Sequence, residues 1–241
     1  MRPVTGSKGD APKGVAQKGV VREGQLAFIN PATGERFGEV AVSTFQEVEA
    51  AVAEVRAASR MWGRTPVRDR IEVLRRLYAL IFDRIDEITA VITQDTGKPR
   101  QDALIEVFTS LHYFNVLLKK APRWLKDERV GTGLQVFKLA TITRRPYGAV
   151  AVISPWNYPF VLTMNPLLGA LLAGNGVVAK PSEVTPAAGV MMAGLFEEVP
   201  ELHPLVRFVH GDGSVGAKLV ATPPDLVFVT GSVATGKRVT R

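Results

Sequence analysis

The sequence predicts an α/β fold, a parallel sheet with helices flanking both of its faces. Three observations carry this. Short, almost wholly apolar runs recur at Ala149–Ile153, Gly176–Ala179, Val206–His210 and Leu226–Val229. Helical stretches at about 161–173, 185–198 and 214–221 separate them. Each run then ends in a cluster of turn residues and hydrogen-bonding side chains. Continuous apolar runs of this length suit strands buried on both faces. Strand–helix alternation at this spacing implies right-handed crossovers between parallel neighbours, a Rossmann-like arrangement.

Ahead of the sheet, Leu26 to Val42 holds the turn Asn30-Pro31-Ala32-Thr33-Gly34 between two strand-like runs. Thr44-x-x-Glu47 forms a capping box before a helix whose apolar face is Val48, Val52, Val55 and Trp62. Thr65-Pro66 starts the next helix. Ile71, Leu74, Tyr78, Ile81, Ile85, Ile88 and Ile92 recur every three or four residues and predict one long helix, ended by Gly97-Lys98-Pro99. A third helix carries Leu104, Val107, Leu111, Phe114 and Leu118 as far as Pro122. From Val136 to Arg145 the partial alternation of Phe137, Leu139, Thr141 and Thr143 reads as an exposed strand. Thr185-Pro186 and Ser214 are the expected helix starts between the later strands, and another helix begins after Gly231.

Composition sets limits. The 241 residues are 46% hydrophobic and 22% charged, enough for one large domain or two smaller ones. With no cysteine among them, disulfides, thiolate-bound zinc and thiol nucleophiles are excluded for these residues. The net charge is +7, and part of it lies in residues 1–24, a Gly- and Lys-rich stretch without apolar periodicity that reads as a disordered basic tail. No aromatic residue interleaves its charges, so a solvated extension is expected rather than a nucleic-acid contact. It also lacks the apolar core of a secretory signal, and a cytoplasmic location is expected. Arg145 to Lys180 contains no charged side chain, but Pro155, Pro159 and Pro166 interrupt it. A membrane span needs about 20 apolar residues in a row, so a buried strand and helix explain the stretch better. His112, His203 and His210 show no metal-ligand spacing, and no metal is expected.

In an open parallel sheet, ligands bind beyond the C-terminal ends of the strands. Those ends read Ser154-Pro155-Trp156-Asn157-Tyr158-Pro159, Lys180-Pro181-Ser182-Glu183, His210-Gly211-Asp212-Gly213 and Thr230-Gly231-Ser232. Together they predict one polar rim suited to a nucleotide. Gly231-Ser232-x-x-x-Gly236 leads from a strand into a helix, where amide donors and the helix dipole favour phosphate. A tight strand–helix turn also calls for glycine with no ligand present. Lys180 donates and an ionised Glu183 accepts, which suits ribose hydroxyls, although a surface ion pair at a helix entrance has the same signature. Asn157 offers a neutral donor for a developing oxyanion, or else bonds its own turn. Trp156 serves as core packing or as a ligand wall. Asp225, after Pro223-Pro224, reads as a turn residue.

Taken jointly, Pro155-Trp156-Asn157-Tyr158-Pro159, Lys180-Pro181-Ser182-Glu183 and Gly231-Ser232-x-x-x-Gly236 resemble the NAD(P)-dependent aldehyde dehydrogenase superfamily in identity, order and spacing. Asn30-Pro31-Ala32-Thr33-Gly34 and Asp95-Thr96-Gly97-Lys98-Pro99 are similar to that family too. The resemblance spans Leu26 to the C-terminus and implies the N-terminal, cofactor-binding part of that fold, incomplete at its C-terminal end. It implies that Ile153, Trp156, Lys180, Ser182, Glu183, Gly231, Ser232 and Gly236 line the dinucleotide. Lys180 and Glu183 would hold the adenosine ribose, and Ser232 the pyrophosphate. NAD is the expected cofactor, because Glu183 repels a 2′-phosphate, with NADP possible. Asn157 would stabilise the oxyanion of a thiohemiacetal formed from an aldehyde substrate. The cysteine and glutamate of the family reaction lie downstream of the Gly-Ser motif, and Arg241 precedes both, so no aldehyde oxidation is expected of these residues alone. A non-catalytic nucleotide-binding or interaction module is the alternative. The resemblance further implies a homo-oligomer, with residues 134–146 supplying part of the oligomerisation hairpin. That strand and the end of the sheet are expected to leave apolar edges bare.

Overall fold

The computed structural model describes Val21, Arg22, residues 24–135 and residues 137–240. Most of the predicted tail therefore lies outside the described residues. Strand pairing nevertheless begins inside it. β1 (Val21–Arg22) pairs antiparallel with β2 (Gln25–Ile29), which pairs with β3 (Arg36–Ala41) around the Asn30–Gly34 turn.

Four helices follow: α1 (Phe45–Trp62), α2 (Val67–Asp83), α3 (Ile85–Thr96) and α4 (Arg100–Trp124). The capping box forms as the sequence requires, with Thr44 Oγ1 accepting from Glu47 N–H and Glu47 accepting from Thr44 N–H. That hydrogen bond from the Thr44 backbone holds the Glu47 carboxyl below its ordinary range. The expected long helix over 65–96 is two helices. Arg84 leaves helical geometry at φ −102° and ψ 19°, while its guanidinium grips Glu198. The apolar stripe survives the break, because Ile81 and Ile88 are seven residues apart and both buried. Thr65 is not the cap of α2. Pro66 holds that position, and its carbonyl accepts from Arg70 N–H. Nor does Pro122 end α4. It sits in the last turn, and the helix continues to Trp124.

A hairpin of β4 (Glu128–Val130) and β5 (Ala140–Ile142) precedes the main sheet. The exposed strand expected over 136–145 is only three residues long. Gln135 N–H and Lys138 N–H are spent on the turn begun at Thr132, and β4 offers just three partners. Leu134, Phe137 and Leu139 remain largely exposed.

The sheet has β6 (Ala149–Ile153), β7 (Gly176–Lys180), β8 (Val206–Phe208) and β9 (Leu226–Val229), all parallel, in the order β8-β7-β6-β9. Its crossovers are α5 (Pro159–Leu172), α6 (Pro186–Glu197) and α7 (Gly213–Ala221), and α8 (Val233–Val239) follows β9. Period-two alternation splits the core. Val150, Val152, Val177 and Ala179 pack with α5, α6 and the layer of α2–α4. Ala149, Ala151, Val178 and Val209 pack with Val48, Val52 and Val55 of α1 and Val215 and Leu219 of α7. The apolar 146–179 stretch is thus a buried strand–helix–strand unit. Among the described residues, no helix is long and apolar enough to cross a membrane. The α7 cap is Asp212, which accepts from Ser214 N–H at 2.9 Å, so the helix starts one residue before the expected Ser214. β9 is an edge, with Leu226 and Phe228 partly exposed, and α8 buries no residue.

Asp225 is more than a turn residue. Its carboxylate accepts from Ala149 N–H at 2.7 Å and faces Arg56 of α1, fixing β9 against β6. Ser43 and His210 exchange hydrogen bonds of 2.8 and 2.9 Å, joining the start of α1 to the end of β8.

Two measurements check this framework. Thr44→Ala should cost about 1 kcal/mol, read as a lower urea midpoint at unchanged slope; an unchanged midpoint would mean the box contributes nothing. Burial, then the neighbouring Lys180 charge, lowers the His210 pKa to about 4. Protonation therefore favours the unfolded chain, where the value is ordinary. Stability from this group is full above pH 6.5 and drains as pH falls toward about 4, a loss of about 3 kcal/mol. His210→Gln should flatten that part of the stability–pH profile; an identical slope in the variant would remove His210 as its source.

Candidate functional site at the strand ends

Register brings the rim together. Ile153 is the Cα partner of Lys180 on one side and of Val229 on the other. Beyond that row, Ser154 N–H donates to Lys180 O at 3.2 Å and Thr230 N–H to Ile153 O at 3.0 Å. The segments starting at Ser154, Pro181 and Thr230 therefore leave the sheet side by side. This juxtaposition follows from strand pairing alone and needs no ligand.

Lys180 is the most buried charged group on the rim, at 4% exposure. Its Nζ donates to Pro181 O at 3.1 Å and lies 3.5 Å from Glu183 Oε2. Burial pushes the Lys180 ammonium below its usual range, and Glu183 then Asp212 pull it back. Glu183 is the more open partner, with 30% of its side chain exposed. Ser182 is buried, and its Oγ accepts from Val184 N–H at 3.2 Å. Asp212, beyond the end of β8, adds a second carboxylate. Hydrogen bonds from Ser214 hold its carboxyl below the usual range, and Lys180 adds to this. The rim thus holds one buried cation whose charge is favoured by two carboxylates, Glu183 and Asp212.

At the β9 end, Ser232 caps α8 by accepting from Thr235 N–H at 3.1 Å. A side-chain carbon at Gly231 would meet Thr235 at 3.7 Å, and one at Gly236 would meet nothing within 4 Å. Neither residue falls among the glycines with positive φ. Local packing and turn geometry therefore do not demand glycine at either position, whereas close approach of a phosphate would.

At the β6 end, Ile153 is partly buried while Trp156, Asn157 and Tyr158 are exposed. Ser154 Oγ and Thr163 Oγ1 are 2.6 Å apart and tie the loop down on the sheet side. The carbonyl of Asn157 accepts from Lys98 Nζ at 3.0 Å. Among the described residues, no hydrogen bond links Asn157 to Lys180, Glu183 or Ser232. The predicted site is therefore a cation–carboxylate cluster at the β7 and β8 ends, the Gly231-Ser232 turn at the β9 end, and an asparagine loop on β6.

Periodicity contained a signal for the residues behind that loop. Glu106 and Ser110 fall on the apolar stripe of α4 beside Ala103, Val107 and Leu111, and both are buried. A polar residue on such a stripe needs a partner. Ser110 finds Asn165 at 2.9 Å, and Glu106 finds Lys98 at 2.7 Å. A separate cleft of about 440 Å³, lined by Val40, Val190, Phe196, Phe208 and His210, opens beside β8. Its walls are mainly apolar and it excludes Lys180, Asn157 and Ser232, so the rim remains the better candidate. No cluster of three or more metal-ligating side chains occurs among the described residues.

Known proteins resemble this chain in sequence and in fold. The chain is 41% identical over 217 residues to the 4,4'-diapolycopene aldehyde oxidase of a Methylomonas species, covering 89% of this chain and 41% of that protein. It is 34% identical to N-succinylglutamate 5-semialdehyde dehydrogenase 1 of Caulobacter vibrioides, covering 90% of this chain and 46% of the relative. Among solved structures, the NADP-dependent glyceraldehyde-3-phosphate dehydrogenase of Bacillus halodurans in complex with NADP superposes with a TM-score of 0.83 at 27% identity, over 90% of this chain and 46% of that one. The NAD-dependent benzaldehyde dehydrogenase of Corynebacterium glutamicum gives 0.83 at 28% identity, over 92% and 49%. The chain spans less than half the length of each of these proteins. With strand order, rim and loop in place, the match of residues 20–241 to the sequence model of the Aldehyde dehydrogenase family settles kinship: this chain belongs to that family.

Proposed function

We propose that these residues form the dinucleotide-binding part of an enzyme oxidising an aldehyde to a carboxylic acid with NAD or NADP. The observation that supports the reading is the in-register ending of β6, β7 and β9, with Lys180, Ile153 and Val229 in one row and the Glu183 and Gly231-Ser232 turns following it in sequence. A non-catalytic binding module would share that rim, but it gives no reason for the asparagine loop beside it.

Lys180 and Glu183 hold the adenosine ribose, one donating and one accepting. Ser182 shapes the turn between them, while Ile153 and Trp156 form the wall toward β6. The amides around Gly231 and Ser232 take the pyrophosphate, with Gly236 keeping the first turn of α8 open. The carboxylates of Glu183 and Asp212 near the ribose disfavour a 2′-phosphate, so NAD is the preferred cofactor. The bound nicotinamide supplies the hydride acceptor. The Asn157 side-chain amide donates to the oxygen that gains charge when a thiolate adds to the aldehyde, a neutral donor held in place before reaction. No thiol is present in the 241 residues, so that nucleophile is supplied from elsewhere. We further propose that the β4–β5 hairpin, with Leu134, Phe137 and Leu139 exposed, contacts another subunit in a homo-oligomer.

Calorimetric titration tests the cofactor assignment. The folded chain should bind NAD more tightly than NADP, and Lys180→Met should weaken NAD binding at least about 10-fold, or 1.4 kcal/mol. Folded protein with no affinity for either dinucleotide would overturn the reading. Glu183→Gln should narrow the gap between NAD and NADP by relieving like-charge repulsion; an unchanged ratio would remove Glu183 as the discriminator. Purified chain of these 241 residues should form no NAD(P)H from common aldehydes. Turnover above a mock preparation would contradict the assignment of the nucleophile.

A further inference from the structure

α5, the helix that follows the asparagine loop, has no side-chain cap of its own. Pro159 at the first helical position has no N–H, and Tyr158 at the cap provides no side-chain acceptor. Two amide donors remain before the regular ladder starts. Phe160 N–H donates to Glu106 Oε1 at 2.8 Å, and Val161 N–H to the same oxygen at 3.2 Å. Leu162 N–H then bonds the Tyr158 carbonyl. Every donor of the first turn is satisfied, and a carboxylate from another helix provides the decisive acceptor.

The second oxygen of Glu106 receives Lys98 Nζ at 2.7 Å. The same ammonium donates to Asn157 O at 3.0 Å and stands 4.5 Å from the centre of the Tyr158 ring. The Glu106 side chain is fully buried and that of Lys98 is 14% exposed. One ion pair therefore holds the loop at both ends, Lys98 on Asn157 and Tyr158, Glu106 on Phe160 and Val161. A buried pair gains little net stability from its Coulomb attraction, because both charges lose hydration. Geometric precision is what such a pair can supply.

We propose that Lys98 and Glu106 are positioning residues that fix the backbone on both sides of Asn157 and so aim its side-chain amide. The functional part rests on the reading of Asn157 as an oxyanion donor. Lys98 and Glu106 touch neither the rim nor a reacting atom. They act through the loop, and removing either should free Asn157 while Lys180, Glu183 and Ser232 keep their places.

The test uses the full 241-residue chain labelled with nitrogen-15. Amide exchange at Phe160 and Val161 reports the cap, and the side-chain amide signals of Asn157 report its aim. Glu106→Gln should speed exchange at those two amides by about 10-fold, equivalent to about 1.4 kcal/mol. Lys98→Met should shift and broaden the Asn157 signals, and Lys98→Arg, which keeps the cation, should largely restore them. NAD affinity should stay within about 2-fold of the parent in every variant, less than about 0.5 kcal/mol. Unchanged Asn157 signals in folded Lys98→Met and Glu106→Gln would overturn the proposal. So would a uniform loss of protection along all of α5 and the sheet, which marks a merely structural pair. Should Lys98→Met not fold, Lys98→Arg and Glu106→Gln decide by the same two readouts. If the parent binds no dinucleotide, the cofactor reading fails while the Asn157 signals still judge the inference.

Discussion

Every helix starts with amide donors its own ladder cannot satisfy, and neither helix leading away from the β6 and β7 ends has a side-chain cap of its own. For α5 the missing acceptor is Glu106 of α4. For α6 it is Asp95 of α3, whose Oδ2 accepts from Ala188 N–H at 2.8 Å. Burial pushes the Asp95 carboxyl up to about 7, opposing the hydrogen bonds from Ala188 and Ala187. The layer of α2–α4 is therefore more than packing against the sheet. It supplies the acceptors without which two helix N-termini beside the candidate site would be buried and unsatisfied.

Part of that dependence runs through one five-residue segment. In Asp95-Thr96-Gly97-Lys98-Pro99, Asp95 serves α6, Lys98 serves the asparagine loop and Pro99 opens α4. Gly97 ends α3 in the left-handed region at φ 71°, where a side-chain carbon would also meet the Pro31 ring at 2.8 Å. Pro31 belongs to the Asn30–Gly34 turn, so two segments far apart in sequence are pressed together at this point. The rim itself is governed by a different balance. Lys180 loses hydration in a site almost closed by protein, and the carboxylates of Glu183 and Asp212 offset part of that loss.

Much of this was legible in the sequence because it rests on short-range rules. Four apolar runs became four parallel strands with their ends close to the expected positions, and the Thr44 box formed from residues three apart. Ile153, Lys180 and the Gly231 turn could be placed on one rim because position along a parallel strand determines them. What escaped depends on partners distant in sequence. The break at Arg84 is accompanied by a grip on Glu198, 114 residues away. The length of β5 is limited by β4, three residues with no apolar signature of their own. Glu106 stood visibly out of place on an apolar stripe, yet its two amide partners lie 54 and 55 residues on, beyond the reach of periodicity.

The clip at Asp225 has a consequence for the order of assembly. Its carboxylate reaches Ala149 N–H across 76 residues of chain, whereas β6 and β7 are joined by a single helix. Loop-closure entropy rises with separation, so the shorter connection has the smaller entropic cost and favours earlier pairing. During synthesis, β6 and β7 emerge before β9, and the hydrogen-bonding side of β6 that β9 will occupy stays open until Asp225 arrives. The Lys180 half of the rim can therefore take shape before the turn carrying Gly231 and Ser232 is in place.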